Sequence, residues 1–550
     1  MNKKDKLKPM LFSVIKKYSK EQLLKDIVSG IIVAIIALPL SIALALASGV
    51  GPEQGLYTAI VAGFIISFLG GSRVQIAGPT AAFATIVAGI VARNGMGGLA
   101  LATFMAGIIL IILGLLKLGS LIKFIPYTIT TGFTAGIAVT IVIGQIKDFL
   151  GLTYPQGTVT IETVDKLNAI AGNITTLNYQ ALIVGAVCLA VLIIWPKISS
   201  KIPGSLIAVI VGILMVKVLK MNVNTIGDLY TISNKLPSFT LPEFSFNGVR
   251  TVFSDAFTIA VLAAIESLLS CVVADGMIGS HHRSNMELVA QGAGNIGSAL
   301  FGGIPATGAI ARTAANIKNG GRTPIAGMVH SVVLVLILVI LMPYAALIPM
   351  PTIAAILFMV AYNMCQWRTF VHLCKTAPKS DIIVLVVTFV LTVVFDLVVA
   401  IEVGMILAGI MFMKRMSDEA EVKGWEYRDA DEADPDSISL RQVPKHVRVY
   451  EITGPMFFGM SGLISNITVK DFTKVLIIRM RGVPALDVTA LKSLEELYET
   501  CKKKDVTLVF SHVNEQPYKT MEKAGFIEKV GKENFCAHID DALKHASDIR

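Results

Sequence analysis

The sequence predicts a polytopic α-helical membrane protein that ends in a small soluble α/β domain. Charged residues make up 16% of the 550 residues, whereas soluble proteins contain about 25%. Charges are sparse in residues 26–413, where apolar runs of about 20 residues follow one another, each long enough to cross a bilayer as a helix. From Lys414 onward the composition is mixed and charged, as in a soluble domain.

Fourteen membrane segments are predicted within residues 26–413. Each is a mainly apolar run bounded by charged or turn-forming residues. The segments begin near Ile27, Leu56, Thr80, Gly98, Pro126, Ala181, Ser205, Val252, Met286, Thr307, Pro324, Pro351, Asp381 and Val398. Because fourteen is an even number, the N-terminus and the soluble tail are expected on the same side of the membrane.

The distribution of positive charge predicts that this side is the cytoplasm. Residues 1–25 contain eight Lys and precede the first segment, and Lys beside a first span is typical of the cytoplasmic side. Three of the loops expected outside, around Pro52, Pro305 and Pro349, contain no Lys or Arg. The net charge of +9 is therefore explained by membrane orientation, and it does not indicate a nucleic-acid partner.

The third and tenth segments interrupt the apolar pattern. Residues 75–83 read QIAGPTAAF and residues 302–310 read GGIPATGAI, after the similar stretches FLGG at 68–71 and LFGG at 300–303. Each is third in its group of seven, and because seven is odd, the second group must insert with inverted orientation. Paired interrupted helices in inverted repeats are typical of transporters. Close-packed helix crossings are the alternative explanation of the small residues.

Helices that start inside the membrane can bind anions. Their first amide N–H groups have no partner within the helix and lie at the positive end of its dipole. Pro79 and Pro305 fit such helix starts, and Thr80 and Thr307 can add hydroxyl groups. Arg312 follows on the second half-helix, where a buried Arg would line a cavity. Alternatively, Arg312 is an anchor that extends to the cytoplasmic surface.

Glu266 is the acid that stands out within the eighth segment. The run AVLAAIESLLSCVVADG is apolar on both sides of Glu266, and Ser270 follows one turn later on the same helix face. A buried carboxyl group favours its protonated form and can carry a proton. With a hydroxyl group and free carbonyl oxygens it could also hold Na⁺. A structural hydrogen bond to a neighbouring helix is a third explanation.

Residues 445–550 are predicted to form a small α/β domain, after a linker or short hairpin at residues 414–444. The strand-like runs are Val447–Ile452, Val475–Arg479 and Val506–Phe510, and the helix-like runs are Ala490–Lys504, Pro517–Ala524 and Ile539–Ala546. The domain has no nucleotide-binding fingerprint and no nucleophile motif, and the six Cys of the chain have no metal-ligand spacing. A binding or regulatory module is therefore predicted rather than an enzyme, with no metal.

Four ordered stretches resemble the SulP family of anion transporters, also called solute carrier family 26. They are IALPLSIALALASGVGPEQGLYTA, GGSRVQIAGPTAAF, IESLLSCVVADGM and GGIPATGAIARTAANI, and the tail resembles the STAS domain of that family. The resemblance implies a fold like that of uracil permeases, with a core domain of segments 1–4 and 8–11 and a gate domain of segments 5–7 and 12–14. It also implies an elevator-like motion and a homodimer.

The same resemblance implies roles for individual residues. The substrate-binding positions correspond here to Leu44, Thr80, Ala81, Ala82, Gly308, Ala309, Ile310 and Arg312. Glu266, with Ser270, corresponds to the acid of the family's cation site. A sodium-coupled bicarbonate branch has Asp and Thr at these two positions and Thr at position 310, so the residues of this chain favour H⁺. In the tail, Asp487 is followed by Val488, where related domains have a phosphorylated Ser.

The predicted function is secondary active transport of a small anion of the dicarboxylate, sulfate or bicarbonate class, by H⁺ symport. The alternatives are Na⁺-coupled bicarbonate symport, an uncoupled exchanger or channel, a nucleobase permease, and a sensor whose segments only anchor the STAS domain. No cofactor is predicted besides the co-transported H⁺ or, as the weaker option, Na⁺. The expected location is the cytoplasmic (inner) membrane, surrounded by lipid, with a cytoplasmic protein partner as an option at the STAS domain.

Overall fold

The computed structural model of the protein covers most of the chain. The described residues are 7–15, 18–120, 125–155, 158, 160, 162–198, 203–395, 397–418, 421–425, 442–458, 464, 467 and 473–549. The chain divides into two compact units, Met1–Met405 and Ile406–Arg550. The first unit contains the apolar helices, and the second contains a mixed sheet.

The first unit is built from helices and one pair of very short strands. Its helices up to residue 229 are α1 (Leu11–Val14), α2 (Lys20–Ala47), α3 (Pro52–Leu69), α4 (Ala81–Leu115), α5 (Tyr127–Leu150), α6 (Thr163–Asn173), α7 (Tyr179–Ile198), α8 (Gly204–Val218) and α9 (Ile226–Leu229). The helices that follow are α10 (Phe246–Ile278), α11 (Ser284–Leu300), α12 (Ile310–Lys318), α13 (Ile325–Ala345), α14 (Met350–Cys365), α15 (Trp367–Thr376), α16 (Lys379–Val394) and α17 (Leu397–Asp418), which continues into the second unit. The strands are β1 (Ala77–Gly78) and β2 (Thr307–Gly308).

Each of the fourteen predicted membrane segments falls on one of these helices. Within the described part of the chain, eight helical stretches are long and apolar enough to cross a membrane, namely α2, α3, α4, α5, α7, α10, α13 and α14 with α15. The third and fourth predicted segments share α4 and are separated at Gly95. Its φ of 65° and ψ of −174° interrupt the helix, and glycine adopts them readily because it has no Cβ.

The membrane helices pack in two groups. One group contains α2, α3, α4, α10, α11, α12 and α13, and the other contains α5, α7, α8, α14 and α16. Small residues allow the helices to approach closely, since Gly107 of α4 and Gly292 of α11 each lie against the backbone of the other helix with no space for a Cβ. The first group consists of the helices of predicted segments 1–4 and 8–11.

The two broken segments meet at the short strands. β1 and β2 pair antiparallel, with Ala77 opposite Gly308 and Gly78 opposite Thr307. β1 is followed by α4, and β2 is followed by α12. Antiparallel pairing is the arrangement that a two-fold axis in the membrane plane produces, and it agrees with the predicted inverted repeats.

The second unit contains, within its described residues, a five-stranded sheet with helices on both faces. The strands are β3 (Glu421–Trp425), β4 (Val447–Thr453), β5 (Val475–Gly482), β6 (Thr507–Ser511) and β7 (Phe535–Cys536), in that order across the sheet. The helices are α18 (Val488–Lys503), α19 (Glu515–Lys523), α20 (Phe526–Val530) and α21 (Ile539–Asp548). β3 is antiparallel to β4, and the other neighbouring strands are parallel.

Buried residues on both faces of the sheet hold this unit together. Leu476 and Ile478 of β5 pack with α18, whereas Val475 and Ile477 pack with α21, and strands covered on both faces are typical of α/β domains. The linker or hairpin predicted at residues 414–444 includes a strand of this sheet. β3 pairs along its whole length with β4 and forms an edge of the described sheet.

Candidate functional site

Two half-helices start from the paired strands. Thr80 immediately precedes α4 and Ala309 immediately precedes α12, and both residues have extended backbone. The Ala309 amide donates a hydrogen bond to Ile76 O (2.8 Å), which continues the pairing of β1 and β2. A Cβ on Gly308 would collide with the side chain of Gln75, so any other residue at this position would have to displace that side chain. In both stretches a hydrogen-bonded strand therefore lies just before the helix. The first amides of the helix, which have no partner within the helix, come next in the chain.

The first broken stretch lies along the second half-helix. The Ile76 amide donates to Thr313 Oγ1 (3.0 Å), and Asn316 Nδ2 donates to Val74 O (2.8 Å). Thr313 and Asn316 are buried residues of α12. The segment that leads into α4 is therefore fixed against α12 by side chains as well as by the strand pairing.

Arg312 joins the two half-helices. It is a residue of α12 with 3% exposure, and its Nη2 donates a hydrogen bond to Pro79 O, just before α4. A Cβ on Gly78 would lie 2.5 Å from Nη1, so the guanidinium group packs against the backbone of β1. This buried position differs from that of an anchor that extends to the membrane surface. It places a positive charge beside the start of the first half-helix.

Helix α10 binds both broken stretches through their threonines. Thr80 Oγ1 donates to Glu266 Oε2 (2.9 Å), and Thr307 Oγ1 donates to Ala263 O (3.1 Å). The two acceptor residues are about one turn apart on α10. These two bonds bring a carboxyl group, two hydroxyl groups and a carbonyl oxygen beside the helix starts. Because Glu266 is only partly buried, its side chain is partly accessible from outside.

The hydroxyl partner of Glu266 differs from the one that helical spacing favours. Ser270 shares the helix face of Glu266, yet among the described residues its buried Oγ has no hydrogen-bond partner. Thr80 takes that place, because the half-helix start brings its hydroxyl group to Glu266 from a different helix. A role for Ser270 in coupling stays a prediction.

The other predicted site residues differ in their exposure. Ala81, Ala82 and Ala309 are buried, with 7%, 1% and 8% exposure. Ile310, the first residue of α12, is 39% exposed, so an apolar side chain stands open at this helix start. Leu44 is buried on α2, and its place in the anion pocket stays a prediction.

Sequence reasoning missed several buried polar residues that support the helix starts. Gln75 donates to Glu287 Oε1 (3.0 Å), and Asn295 bonds both the N and the O of Ala306 (2.9 Å each). A signal was present in the sequence, since Glu287, Gln291 and Asn295 recur at helical spacing within a predicted membrane segment. In the described part of the chain, no group of His, Cys, Asp and Glu side chains is arranged to hold a metal ion.

Comparison with known proteins shows relatives over nearly the whole chain. The sulfate permease family matches residues 23–388, and the STAS domain matches residues 438–542. The putative sulfate transporter YvdB of Bacillus subtilis (strain 168) is 39% identical over 533 residues, which cover 96% of this chain and 98% of that protein. The bicarbonate transporter BicA of a Picosynechococcus species is 32% identical over 543 residues, which cover 95% of this chain and 94% of that protein.

Solved structures share the fold. The transmembrane domain of a cyanobacterium bicarbonate transporter BicA matches with a TM-score of 0.62 and 29% identity, covering 71% of this chain and 98% of that one. The murine solute carrier 26 family member A9 anion transporter, in the inward-facing state, matches with a TM-score of 0.88 and 21% identity, covering 98% of this chain and 94% of that one. The chain therefore belongs to the sulfate permease family, with the helical membrane transporter fold of that family and a C-terminal STAS domain.

Proposed function

We propose that this protein is a secondary active transporter that moves a small anion across the cytoplasmic membrane together with H⁺. The chain is a membrane transporter rather than an enzyme, and its relatives named as sulfate and bicarbonate transporters support an anionic substrate. The observation that carries the proposed coupling is the hydrogen bond from Thr80 Oγ1 to Glu266 Oε2 (2.9 Å). It connects the start of one half-helix to an acid at membrane depth.

The anion is held between the starts of α4 and α12. Their free amide groups and the positive ends of their dipoles attract negative charge, and the adjacent Arg312 adds a full positive charge. The small side chains of Ala81 and Ala309 let an anion approach the backbone. Recognition of this kind depends on the backbone, so it suits several small oxyanions of the sulfate, bicarbonate and dicarboxylate classes.

Coupling follows from the charge of Glu266. When Glu266 is ionised, its negative charge opposes the binding of an anion at the neighbouring helix starts. When Glu266 is protonated, that repulsion is removed. The affinity for the anion is therefore higher when the proton is bound, and the affinity for the proton is higher when the anion is bound. An elevator-like movement of the core helices then carries both across the membrane.

Sodium coupling is a second candidate for this site. Glu266 Oε2, the hydroxyl groups of Thr80 and Thr307, and Ala263 O are hard oxygen ligands of the type that Na⁺ accepts, and a BicA bicarbonate transporter is among the relatives. The apolar Ile310 at the helix start offers no further oxygen. We therefore rank H⁺ above Na⁺, and an uncoupled exchanger or channel below both.

Several features of the assembly belong to the same proposal. The eight Lys of residues 1–25 support a cytoplasmic N-terminus, and the even number of predicted segments supports a cytoplasmic STAS domain. We further propose a homodimer and a regulatory role for the STAS domain. Any soluble partner would bind that domain.

The experiment is uptake into proteoliposomes that contain the purified full-length protein. Sulfate, bicarbonate and succinate are tested separately, each with an H⁺ gradient, with a Na⁺ gradient and with neither. We expect at least one anion to accumulate above equilibrium when the H⁺ gradient is present. Accumulation only with Na⁺ would favour the second candidate, and equilibration without accumulation under every condition would favour an uncoupled carrier or channel.

A further inference from the structure

Helix α11 presents a stripe of buried polar side chains that the anion site itself does not use. Glu287, Gln291, Asn295 and Ser298 lie at spacings of one helical turn, and all four have 0% exposure. Polar groups buried in a membrane are costly unless they are hydrogen-bonded. The partners of these four residues therefore indicate what the stripe is for.

The N-terminal end of the stripe binds the segment that leads into the first broken stretch. Glu287 Oε2 accepts hydrogen bonds from the amides of Gly71 (2.8 Å) and Ser72 (3.1 Å). Glu287 Oε1 accepts from Gln75 Nε2 (3.0 Å) and from Gln291 Nε2 (2.9 Å). Four N–H donors surround one carboxyl group, and three of them belong to the segment that runs into β1 and α4.

The other end of the stripe binds the second broken stretch. Asn295 Nδ2 donates to Ala306 O and Asn295 Oδ1 accepts from Ala306 N, both at 2.9 Å. Ser298 Oγ donates to Ile304 O (2.7 Å). Thr58 of α3 binds the same residue, with its Oγ1 accepting from Ile304 N (2.7 Å). These contacts fix the segment that runs into β2 and α12.

We infer that α11 sets the position of the two half-helix starts relative to each other, with Glu287 and Asn295 as positioning residues for the anion site. The two anchors are two turns apart on one rigid helix, about 12 Å at the usual rise. Each anchor binds backbone of the segment that leads into a half-helix, and the two segments meet again at the β1–β2 pair. Neither residue touches the anion in this account, which rests on the proposed function.

The test compares variants of Asn295 in the full-length protein. Asn295→Leu removes both bonds to Ala306, whereas Asn295→Asp keeps an acceptor for the Ala306 amide. Thr103→Val is the matched control, because Thr103 is equally buried but its hydroxyl group donates within its own helix, to Leu99 O (2.8 Å). Uptake of sulfate, bicarbonate and succinate gives the KM and the maximal rate of each variant.

We expect Asn295→Leu to raise KM about 10- to 100-fold, as the loss of one or two net hydrogen bonds at the site would, with little change in the maximal rate per folded protein. Asn295→Asp should recover part of the loss, and Thr103→Val should keep the wild-type KM. A purely structural role would lower the amount of folded protein and leave KM unchanged in the remainder, and that result would overturn the inference. If Asn295→Leu does not fold, the KM values of Ser298→Ala and Asn295→Asp test the inference instead. Both variants should have a higher KM than the wild-type protein.

Hydrogen–deuterium exchange separates a failure of this inference from a failure of the proposed function. In Asn295→Leu, or in Asn295→Asp if the former does not fold, we expect faster exchange at residues 70–80 and 302–309, whether or not any of the three anions is transported. Unchanged exchange in both stretches would contradict the positioning role. Absence of uptake by the wild-type protein would count against the proposed function alone.

Discussion

In the proposed mechanism, Glu266 is the residue at which the proton and the anion influence each other. Two like charges roughly 8 Å apart repel by about 2 kcal/mol at an effective dielectric constant of 20, which is roughly a 30-fold change in affinity. With a coupling of this size, each substrate binds about 30-fold more tightly when the other is bound. The hydrogen bond from the Thr80 side chain also links the acid to the start of the first half-helix. In the proposed mechanism, a change in the protonation of Glu266 therefore alters anion binding at that start.

The first prediction at this scale concerns Glu266→Gln. Glutamine has the shape of the protonated acid but cannot ionise, so it can neither release nor take up a proton. We expect accumulation driven by an H⁺ gradient to be lost, while the anion still binds. In the wild-type protein, anion affinity should fall at alkaline pH as Glu266 ionises, and in Glu266→Gln it should stay constant. The measurements are uptake into proteoliposomes and anion affinity at several pH values.

The control for this variant is Glu402→Gln, the same change at an exposed position of another membrane helix, α17. It should accumulate the anion as the wild-type protein does. Wild-type accumulation by Glu266→Gln under the same gradient would show that another group carries the proton.

At the scale of secondary structure, the sequence was sufficient to locate the long apolar helices, but not short helices such as α6 and α15 or the contacts between helices. The two interruptions at residues 75–83 and 302–310 were recognisable because Gly, Pro, Thr and Ala replace the larger apolar residues. The pairing of Ala77 with Gly308 joins residues far apart in the chain, and no local pattern in two such short strands specifies it. Helical spacing favoured Ser270 as the partner of Glu266 because it reports only on residues of the same helix. The hydroxyl group that bonds Glu266 belongs to Thr80, which comes from another segment.

Two further differences have identifiable causes. Residues 421–425 were predicted as part of a linker or short hairpin because their neighbourhood is charged. They form β3, and an edge strand with one pairing neighbour needs few apolar residues. The polar stripe of α11 was visible as a repeat of Glu287, Gln291 and Asn295. Its meaning depended on the loops that bind it, since a single helix does not show which segments pack on its face.

The prediction at this scale concerns the start of α18 in the STAS domain. Asp487 Oδ1 accepts from the Ala490 amide (2.8 Å) and Oδ2 accepts from the Phe458 amide (2.9 Å), so Asp487 is an N-cap. We expect Asp487→Ala to destabilise this helix by about 1 kcal/mol and to speed amide exchange in residues 488–503 roughly fivefold. Hydrogen–deuterium exchange of the full-length protein measures the effect, and anion affinity should be unchanged.

Thr489→Ala is the control for this cap. Thr489 is exposed in the first turn of the same helix, and its side chain is not the N-cap. Exchange in α18 should stay at the wild-type rate. A larger effect on anion transport from Thr489→Ala than from Asp487→Ala would show that this position has a regulatory role beyond helix capping.

At the scale of the whole molecule, the proposed anion site lies entirely within the first compact unit. Every hydrogen bond that defines it joins residues between Val74 and Asn316. The second unit has its own sheet and its own buried clusters on both faces. The two units can therefore be separated without removing any residue of the proposed site.

We expect a chain that ends at Asp418, the last residue of α17, to bind the anion with wild-type affinity. This end point is better than one near residue 442, which would leave β3 without β4 as a pairing partner. A lower transport rate or a lower yield is compatible with the account. Loss of binding in a truncated protein that is folded and monodisperse would show that the STAS domain completes the site.

The central claim is that the anion is held by the two helix starts, and the most direct measurement is anion affinity in three purified variants and one control variant. Ala81→Leu and Ala309→Leu block access to the backbone amides without changing charge, so both should abolish binding, whereas Ala92→Leu at an exposed position of α4 should not. Arg312→Ala removes one charge-assisted contact and should weaken binding by about 1.5–3 kcal/mol, or roughly 10- to 150-fold. Normal binding by both Leu variants, together with complete loss in Arg312→Ala, would contradict the claim and assign the anion to the arginine alone.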